Sequence, residues 1–311
     1  MLENLPRRRF LAISAAVAVL PATSLAAAPV ARWKGTALGA GASMTLVGVE
    51  DAEAREAFAT VQAEVARLEG IFSLYRKGSA LARLNEAGRL EDPPSELLEL
   101  LILSDALHRN TEGAFDPTIQ PLWLLYAAAA SEDRLPTDRE LARAQEQSGW
   151  QHLRFTSTSV SFARPGMALT LNGVAQGFIA DRVAAMLRAR GMTDVLIDMG
   201  EIAALGRRAD GMPWRAGISL PNGHVVREVK LGERALATSA PLGTLLDRSG
   251  KIGHILDPRS GQPGGRWRLV SVSAPNAALA DGISTAICLL DGTAISATLA
   301  AYPDCSLEAL L

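Results

Sequence analysis

A change of periodicity near Trp150 constrains the fold of this chain more than any other feature. Upstream, "EDAEAREAFATVQAEVARLEGIFSLYR" carries Phe58, Val61, Val65, Leu68 and Phe72 at helical spacing. "SELLELLILSDALHRNTEGAF" predicts a second helix, with Ser95 as N-cap after Pro93 and Pro94 and Gly113 as terminator. "TDRELARAQEQSGW" predicts a third, with Thr137 and Glu140 spaced as a capping box. A strand with a small-residue kink, "ARWKGTALGAGASMTLVG", comes before them. Downstream, "HLRFTST", "SVSFA", "MALTLNG", "VLIDMGEIAALG", "WRAGISLP", "VVREVKL", "RALATSA" and "RLVSVSA" read as short strands between Gly, Pro or Asn-Gly turns. Two helices interrupt them: "VAQGFIADRVAAMLRARG", closed by Gly191, and "NAALADGISTAICLL". Helices first and strands after predict an α+β fold, a mixed, largely antiparallel sheet covered by helices.

The N-terminus has a different texture. "LPRRRFLAISAAVAVLPATSLAAAP" has a basic start, an apolar middle and an alanine-rich end, the layout of a secretory signal. Arg7, Arg8, Phe10 and Leu11 form R-R-x-F-L, the pattern of a twin-arginine export signal. Cleavage near Ala26 or Ala28 is expected, so residues 1–28 are a signal and 29–311 one domain of a periplasmic protein. The apolar run from Phe10 to Leu20 is short for a bilayer span, and no stable membrane insertion is expected after cleavage. Removing residues 1–28, with three arginines and one glutamate, takes the formal charge from −2 to −4. With no basic block left, nucleic acid is not an expected partner. Export would permit a disulfide between Cys288 and Cys305, but free thiols fit the sequence equally well.

Four stretches could carry chemistry. In "NAALADGISTAICLL", Asp281 and Thr285 lie four apart, so they stack on one helix face. An aspartate in a helix interior costs roughly 0.5 kcal/mol in propensity alone. A carboxylate and a hydroxyl so placed either satisfy each other and the helix, or hold a hard cation together with a phosphorylated ligand. In "GHILDPRSG", His254 sits between a strand-like run and a tight turn closed by Asp257, Pro258 and Gly261, where a general base or a structural histidine is found. In "ALTLNGVAQGFIADRVAAML", Gly173 and Gly177 flank a helix start that could take a phosphate or serve only as a turn. Tyr75 and Phe115, in "LEGIFSLYRKGSALARLN" and "NTEGAFDPTIQPLW", could stack on a planar ring or fill the core.

Together these pieces are far more specific. "LEGIFSLYRKGSALARLN", "TEGAFDPTIQPLW", "LTLNGVAQGFIADRVAAMLRARGMTDVLIDMG", "ALATSA", "GHILDPRSGQP" and "SVSAPNAALADGISTAICLL" occur in an order that resembles the ApbE family of flavin transferases. The resemblance spans about Gly35 to about Leu290. It implies a fold that binds FAD in a cleft with Mg²⁺ at the pyrophosphate. FMN then passes from FAD to a threonine or serine hydroxyl of an acceptor flavoprotein, a subunit of an exported or membrane-bound electron-transfer system, and AMP is released. Asp281 and Thr285 match the family's metal ligands, and the Gly173 carbonyl matches a third protein oxygen. His254 matches the catalytic histidine, with Asp257 holding the turn or orienting the imidazole. Tyr75, Ala114, Phe115, Asp116 and Ile255 match FAD-contacting positions. Leu38 stands where the family has methionine, Thr170 where it has aspartate, and Gln176 where it has lysine. The last two changes remove one charge of each sign from the FAD-binding positions. FAD pyrophosphatase activity and non-catalytic flavin binding are the alternative activities.

Overall fold

A computed structural model of the chain describes residues 28–220 and 223–311. The export signal predicted over residues 1–28 falls outside them, apart from Ala28. The chain opens with β1 (Val30–Ala37), β2 (Ala40–Val47), α1 (Asp51–Phe72), α2 (Ala80–Ala87), β3 (Arg89–Glu91), α3 (Ser95–Asn110), α4 (Gln120–Ser131) and α5 (Asp138–Glu146). Then come β4 (Leu153–Phe155), β5 (Ser159–Phe162), α6 (Ala175–Ala189), β6 (Val195–Asp198), β7 (Ile202–Leu205), β8 (Trp214–Ser219), β9 (Val225–Leu231) and β10 (Arg234–Ser239). The last elements are β11 (Val270–Ala274), α7 (Ala277–Ile287), α8 (Gly292–Ala301) and β12 (Ser306–Leu310).

A seven-stranded sheet in the order β1-β2-β6-β7-β10-β11-β12 is the frame, antiparallel at every pairing. Helices α6 and α7 pack on one face of it and on each other, with α1 against α6 and α3 against α7. The β8–β9 ribbon closes the other face through Trp214, Ile218, Leu231, Leu196 and Leu236. With both faces covered, β7 and β11 are buried along their whole length. That is why β7 reads as a continuous apolar run; β11 alternates valine with serine, and its buried Ser271 and Ser273 hydroxyls donate to Ala237 O (3.1 Å) and Glu308 Oε1 (2.8 Å). β3, β5 and β4 form a separate small sheet.

Local chemistry explains most of the boundaries. In α1 the buried residues Val61, Val65, Leu68 and Phe72 form the predicted stripe. The capping box at Thr137 and Glu140 is present in both directions. Several expectations need correction. The kinked strand at the N-terminus is a hairpin: Leu38 and Gly39 both take positive φ (49° and 84°), the two-residue turn that reverses a twisted strand. "VLIDMGEIAALG" is likewise two strands, β6 and β7, around Gly200 at φ 100°. Ser95 is the first residue of α3 rather than its cap, a position held by Pro94 without a side-chain bond. "MALTLNG" is not a strand. Its backbone is held by other partners: Asn85 bonds both the N–H and the carbonyl of Leu169 (2.7 and 2.8 Å), and Thr170 N–H donates to Pro117 O (2.8 Å). Helices α2, α4 and α8 and strand β12 lie outside the predicted elements. Cys288 and Cys305 are both free and buried, which settles the open question of their pairing. No described helix is long and apolar enough to cross a membrane.

Candidate active site

Helix α7 is the spine of the site. The Asn276 side chain caps it by accepting from Leu279 N–H (2.9 Å), and the Asp181 carboxylate of α6 accepts from Ala277 N–H (2.7 Å) and Ala278 N–H (2.9 Å). Two glycines let neighbouring elements close on it. A Cβ on Gly177 would collide with the backbone of Ala277 and stand 2.6 Å from Ala278 N, and a Cβ on Gly282 would collide with Leu107 of α3. So the G and D of "ADG" serve different ends: the glycine admits α3, and the aspartate meets Gly177 N–H of α6.

Asp281 is 4% exposed, and its Oδ2 has no hydrogen-bond partner. Gly177 N–H donates to the carboxylate, but burial dominates, helped by the negative Asp181, and pushes its pKa up to about 8. A buried carboxylate oxygen with no partner is costly and calls for an explanation. One turn on, Thr285 Oγ1 lies 3.4 Å from Ser239 Oγ, which is itself 2.8 Å from Ser284 Oγ. Gly173 lies against the same hydroxyl: a Cβ there would stand 3.3 Å from Thr285 Oγ1 and 3.4 Å from the Phe115 ring. The donor set is therefore one carboxylate with a vacant oxygen, a hydroxyl, and glycine backbone in a cradle that a side chain would crowd. It suits a hard cation that takes few protein oxygens and leaves positions for phosphates and water. Among the described residues no group of three or more His, Cys, Asp or Glu side chains forms a metal cluster, so a dedicated all-protein cage is not present.

His254 is reached from the loop after β10. Its backbone N–H donates to Thr244 O (3.0 Å), and ring Nδ1 lies 3.3 Å from the same carbonyl. A carbonyl only accepts, so this contact places the proton on Nδ1 and leaves the lone pair on Nε2. Burial lowers the ring's pKa below its ordinary 6.5, against the Thr244 and Pro241 carbonyls, so the imidazole is neutral at pH 7. Asp257 does not orient this ring. Its two oxygens meet Arg259 in a bidentate pair (2.9 and 2.8 Å), and Oδ1 also accepts from Arg259 N–H (2.9 Å). Of the two roles expected for Asp257, holding the turn is the one its bonds perform. Arg259 Nη2 also donates to Leu289 O (2.9 Å), and Trp267 Nε1 to Leu290 O (3.0 Å). These bonds tie the turn that follows His254, and Trp267 beyond it, to the residues just after α7.

The remaining candidates divide. Phe115 is buried against Gly173, with its carbonyl held by His108 Nδ1 (3.0 Å), and Ala114 is buried beside it. The Asp116 carboxylate is spent on the fold: Oδ1 accepts from Thr118 N–H and Oγ1 (2.8 and 2.7 Å), and Oδ2 from Trp150 N–H (3.1 Å). Its backbone carbonyl is engaged as well, accepting from Ile119 N–H (3.2 Å). Gln176 packs over Gly200, next to Gly177 and hence to Asp281. Thr170 Oγ1 accepts from Asn172 N–H (3.3 Å) on the segment leading to Gly173. Ile255 is buried, its carbonyl accepting from Gly264 N–H (3.0 Å). Leu38 sits on the β1–β2 turn with its N–H on Glu69 (2.8 Å), and Tyr75 is exposed just beyond α1. Three groups beside the site were not predicted from the sequence: Asp181, Ser239 and the buried Glu201.

The ApbE family model matches residues 38–311. An FAD:protein FMN transferase of Vibrio cholerae serotype O1 is 31% identical over 245 residues, 74% of this chain and 73% of that protein. The solved structure of flavin transferase ApbE from Vibrio cholerae superposes with a TM-score of 0.78 at 26% identity, covering 88% of this chain and 91% of that one. The apo form of the Pseudomonas stutzeri flavinyl transferase ApbE superposes with a TM-score of 0.76 at 28% identity, covering 90% and 89%.

Proposed function

The chain belongs to the ApbE family, and on that premise we propose that it is an FAD:protein FMN transferase. A serine or threonine hydroxyl of an acceptor protein bonds to the FMN phosphorus of FAD, the anhydride P–O bond breaks, and AMP leaves with the bridging oxygen. The observation that carries this reading is the vacant, buried Oδ2 of Asp281, one turn from the Thr285 hydroxyl against which Gly173 lies.

Phosphoryl-group transfer depends more on position and charge than on covalent help from the protein. His254 Nε2 takes the proton from the acceptor hydroxyl, a role open to it because its Nδ1 is committed to Thr244 and the ring is neutral. Asp257 and Arg259 tie the turn that follows His254 to the residues just after α7. Asp281, Thr285 and the Gly173 backbone would hold Mg²⁺. When bound, the ion supplies positive charge beside the pyrophosphate and favours departure of AMP. Phe115 lines the same wall.

We place the reaction after export, as the signal pattern of residues 1–28 supports, with an exported or membrane-bound electron-transfer flavoprotein as acceptor. The test is mass spectrometry of a candidate acceptor incubated with the mature protein, FAD and Mg²⁺. An added FMN phosphoester supports the proposal. AMP formed at full rate with no acceptor present, and no modified acceptor, would instead mean an FAD pyrophosphatase.

A further inference from the structure

Glu201 is a buried carboxylate beside the site that the reaction above does not use. It stands at the end of the β6–β7 turn, and two routes lead from it to the proposed cation ligands. On one side, its Oε2 accepts from Thr238 N–H (3.2 Å), and the next residue, Ser239, touches Ser284 and Thr285. On the other, Gly200 lies under Gln176, where a Cβ would stand 2.6 Å from Nε2, and the residue after Gln176 is Gly177, whose N–H meets Asp281. Burial is the main cost of ionising Glu201, and the neighbouring carboxylates of Asp281 and Asp198 add to it. Buried carboxylates that share a neighbourhood repel each other and are costly to ionise. A divalent ion seated on the vacant oxygen of Asp281 would relieve both.

We propose that Glu201 is a positioning residue of the cation site, its carboxylate acting with that of Asp281 to set the affinity for a divalent ion. The inference rests on the cation reading of Asp281 and Thr285. Outer carboxylates of this kind typically change metal affinity by about 10- to 100-fold.

The test needs no turnover: Mn²⁺ binding by calorimetry in the presence of ADP, whose phosphates supply the remaining oxygens, and thermal melts with ADP, with and without Mn²⁺, on the mature protein. Glu201→Gln keeps an oxygen for Thr238 N–H and removes the charge. The expected result is a metal-free Tm at or above that of the wild type, together with Mn²⁺ binding weakened about 10-fold or more. Glu201→Asp, which keeps the charge on a shorter arm, is expected to bind Mn²⁺ better than Glu201→Gln and guards against a variant that does not fold. A purely structural role predicts the reverse: a lower metal-free Tm and unchanged Mn²⁺ affinity. Asp281→Asn separates the two readings. If it abolishes binding while Glu201→Gln binds like the wild type, the role of Glu201 is overturned and the cation site stands. If Asp281→Asn also binds like the wild type, or the wild type binds no Mn²⁺, the cation site falls and this inference falls with it.

Discussion

Asp181 and Asp281 are exchanged between two helices. Asp181, in the body of α6, takes up the N–H groups that open α7, and Asp281, in the body of α7, takes up the Gly177 N–H that opens α6. Each helix thus receives a carboxylate at its positive end from the other. Asp181→Ala leaves two N–H groups of α7 without their acceptor and is expected to cost about 1–2 kcal/mol of stability. Calorimetry reads that as a lower Tm. Because α7 carries the proposed cation ligands, the same variant should also need more Mg²⁺ for half-maximal FMN transfer. A lower Tm with an unchanged Mg²⁺ requirement would show that the exchange holds the helices without tuning the site.

Asp281→Asn should separate stability from function. The amide keeps an oxygen for Gly177 N–H and matches the neutral form that burial favours, so the metal-free protein is expected to melt no lower than the wild type. What it should lose is the gain from Mg²⁺ with FAD, which for ligand at 100 times Kd is about 2.7 kcal/mol. Transfer activity should fall with it. Retention of that gain would rule out Asp281 as a ligand.

The pH dependence follows from His254. Its folded-state pKa lies below 6.5, so on acidification the unfolded chain takes up this proton first. The contribution is complete above 6.5 and is lost as the pH falls through the folded-state value. His254→Gln should therefore flatten the acid side of the stability curve. In the wild type, kcat/KM should fall on the same acid side, as the free enzyme's base is protonated. A wild-type rate that holds level through that range would exclude His254 as the base.

Asp257 and Arg259 form one unit, and a double-mutant cycle checks it. Either alanine variant frees the turn that follows His254, so the second should add little. The expected coupling is roughly 0.5–3 kcal/mol, read from melts and from kcat. An Asp257→Ala enzyme that is dead beside an active Arg259→Ala enzyme would mean that Asp257 touches the reacting groups.

What could be read from the sequence was what local chemistry decides. The α1 stripe, the Thr137–Glu140 box and the Asp281–Thr285 spacing depend on residues within one or two turns of each other. The errors lie where a distant partner decides. "MALTLNG" alternates like a strand, but Asn85, 84 residues away in the chain, occupies its backbone. Helix α4 is buried on most of its surface, so no stripe marks it. Leu38 accepts a positive φ that a lone leucine would not suggest, because the paired strands impose the turn. Glu201 gives no signal by itself: it becomes conspicuous only once folding sets it against Asp281. The family motifs supplied the residue roles, and the bonds around Asp116 and Asp257 then showed which of those side chains are already spent.

The seven strands cross the sheet in the same order as they occur in the chain, from β1 at one border to β12 at the other. Each strand therefore pairs with the sheet strand that precedes it in the chain, and the last one covers the edge of β11. The helix bearing Asp281 and Thr285 is synthesised before that final strand. A chain cut short ahead of Ser306 would carry every side chain assigned to the reaction, yet present the unpaired backbone of β11 to any passing strand. Completion of the sheet thus rests on a strand that carries none of the residues assigned to the reaction.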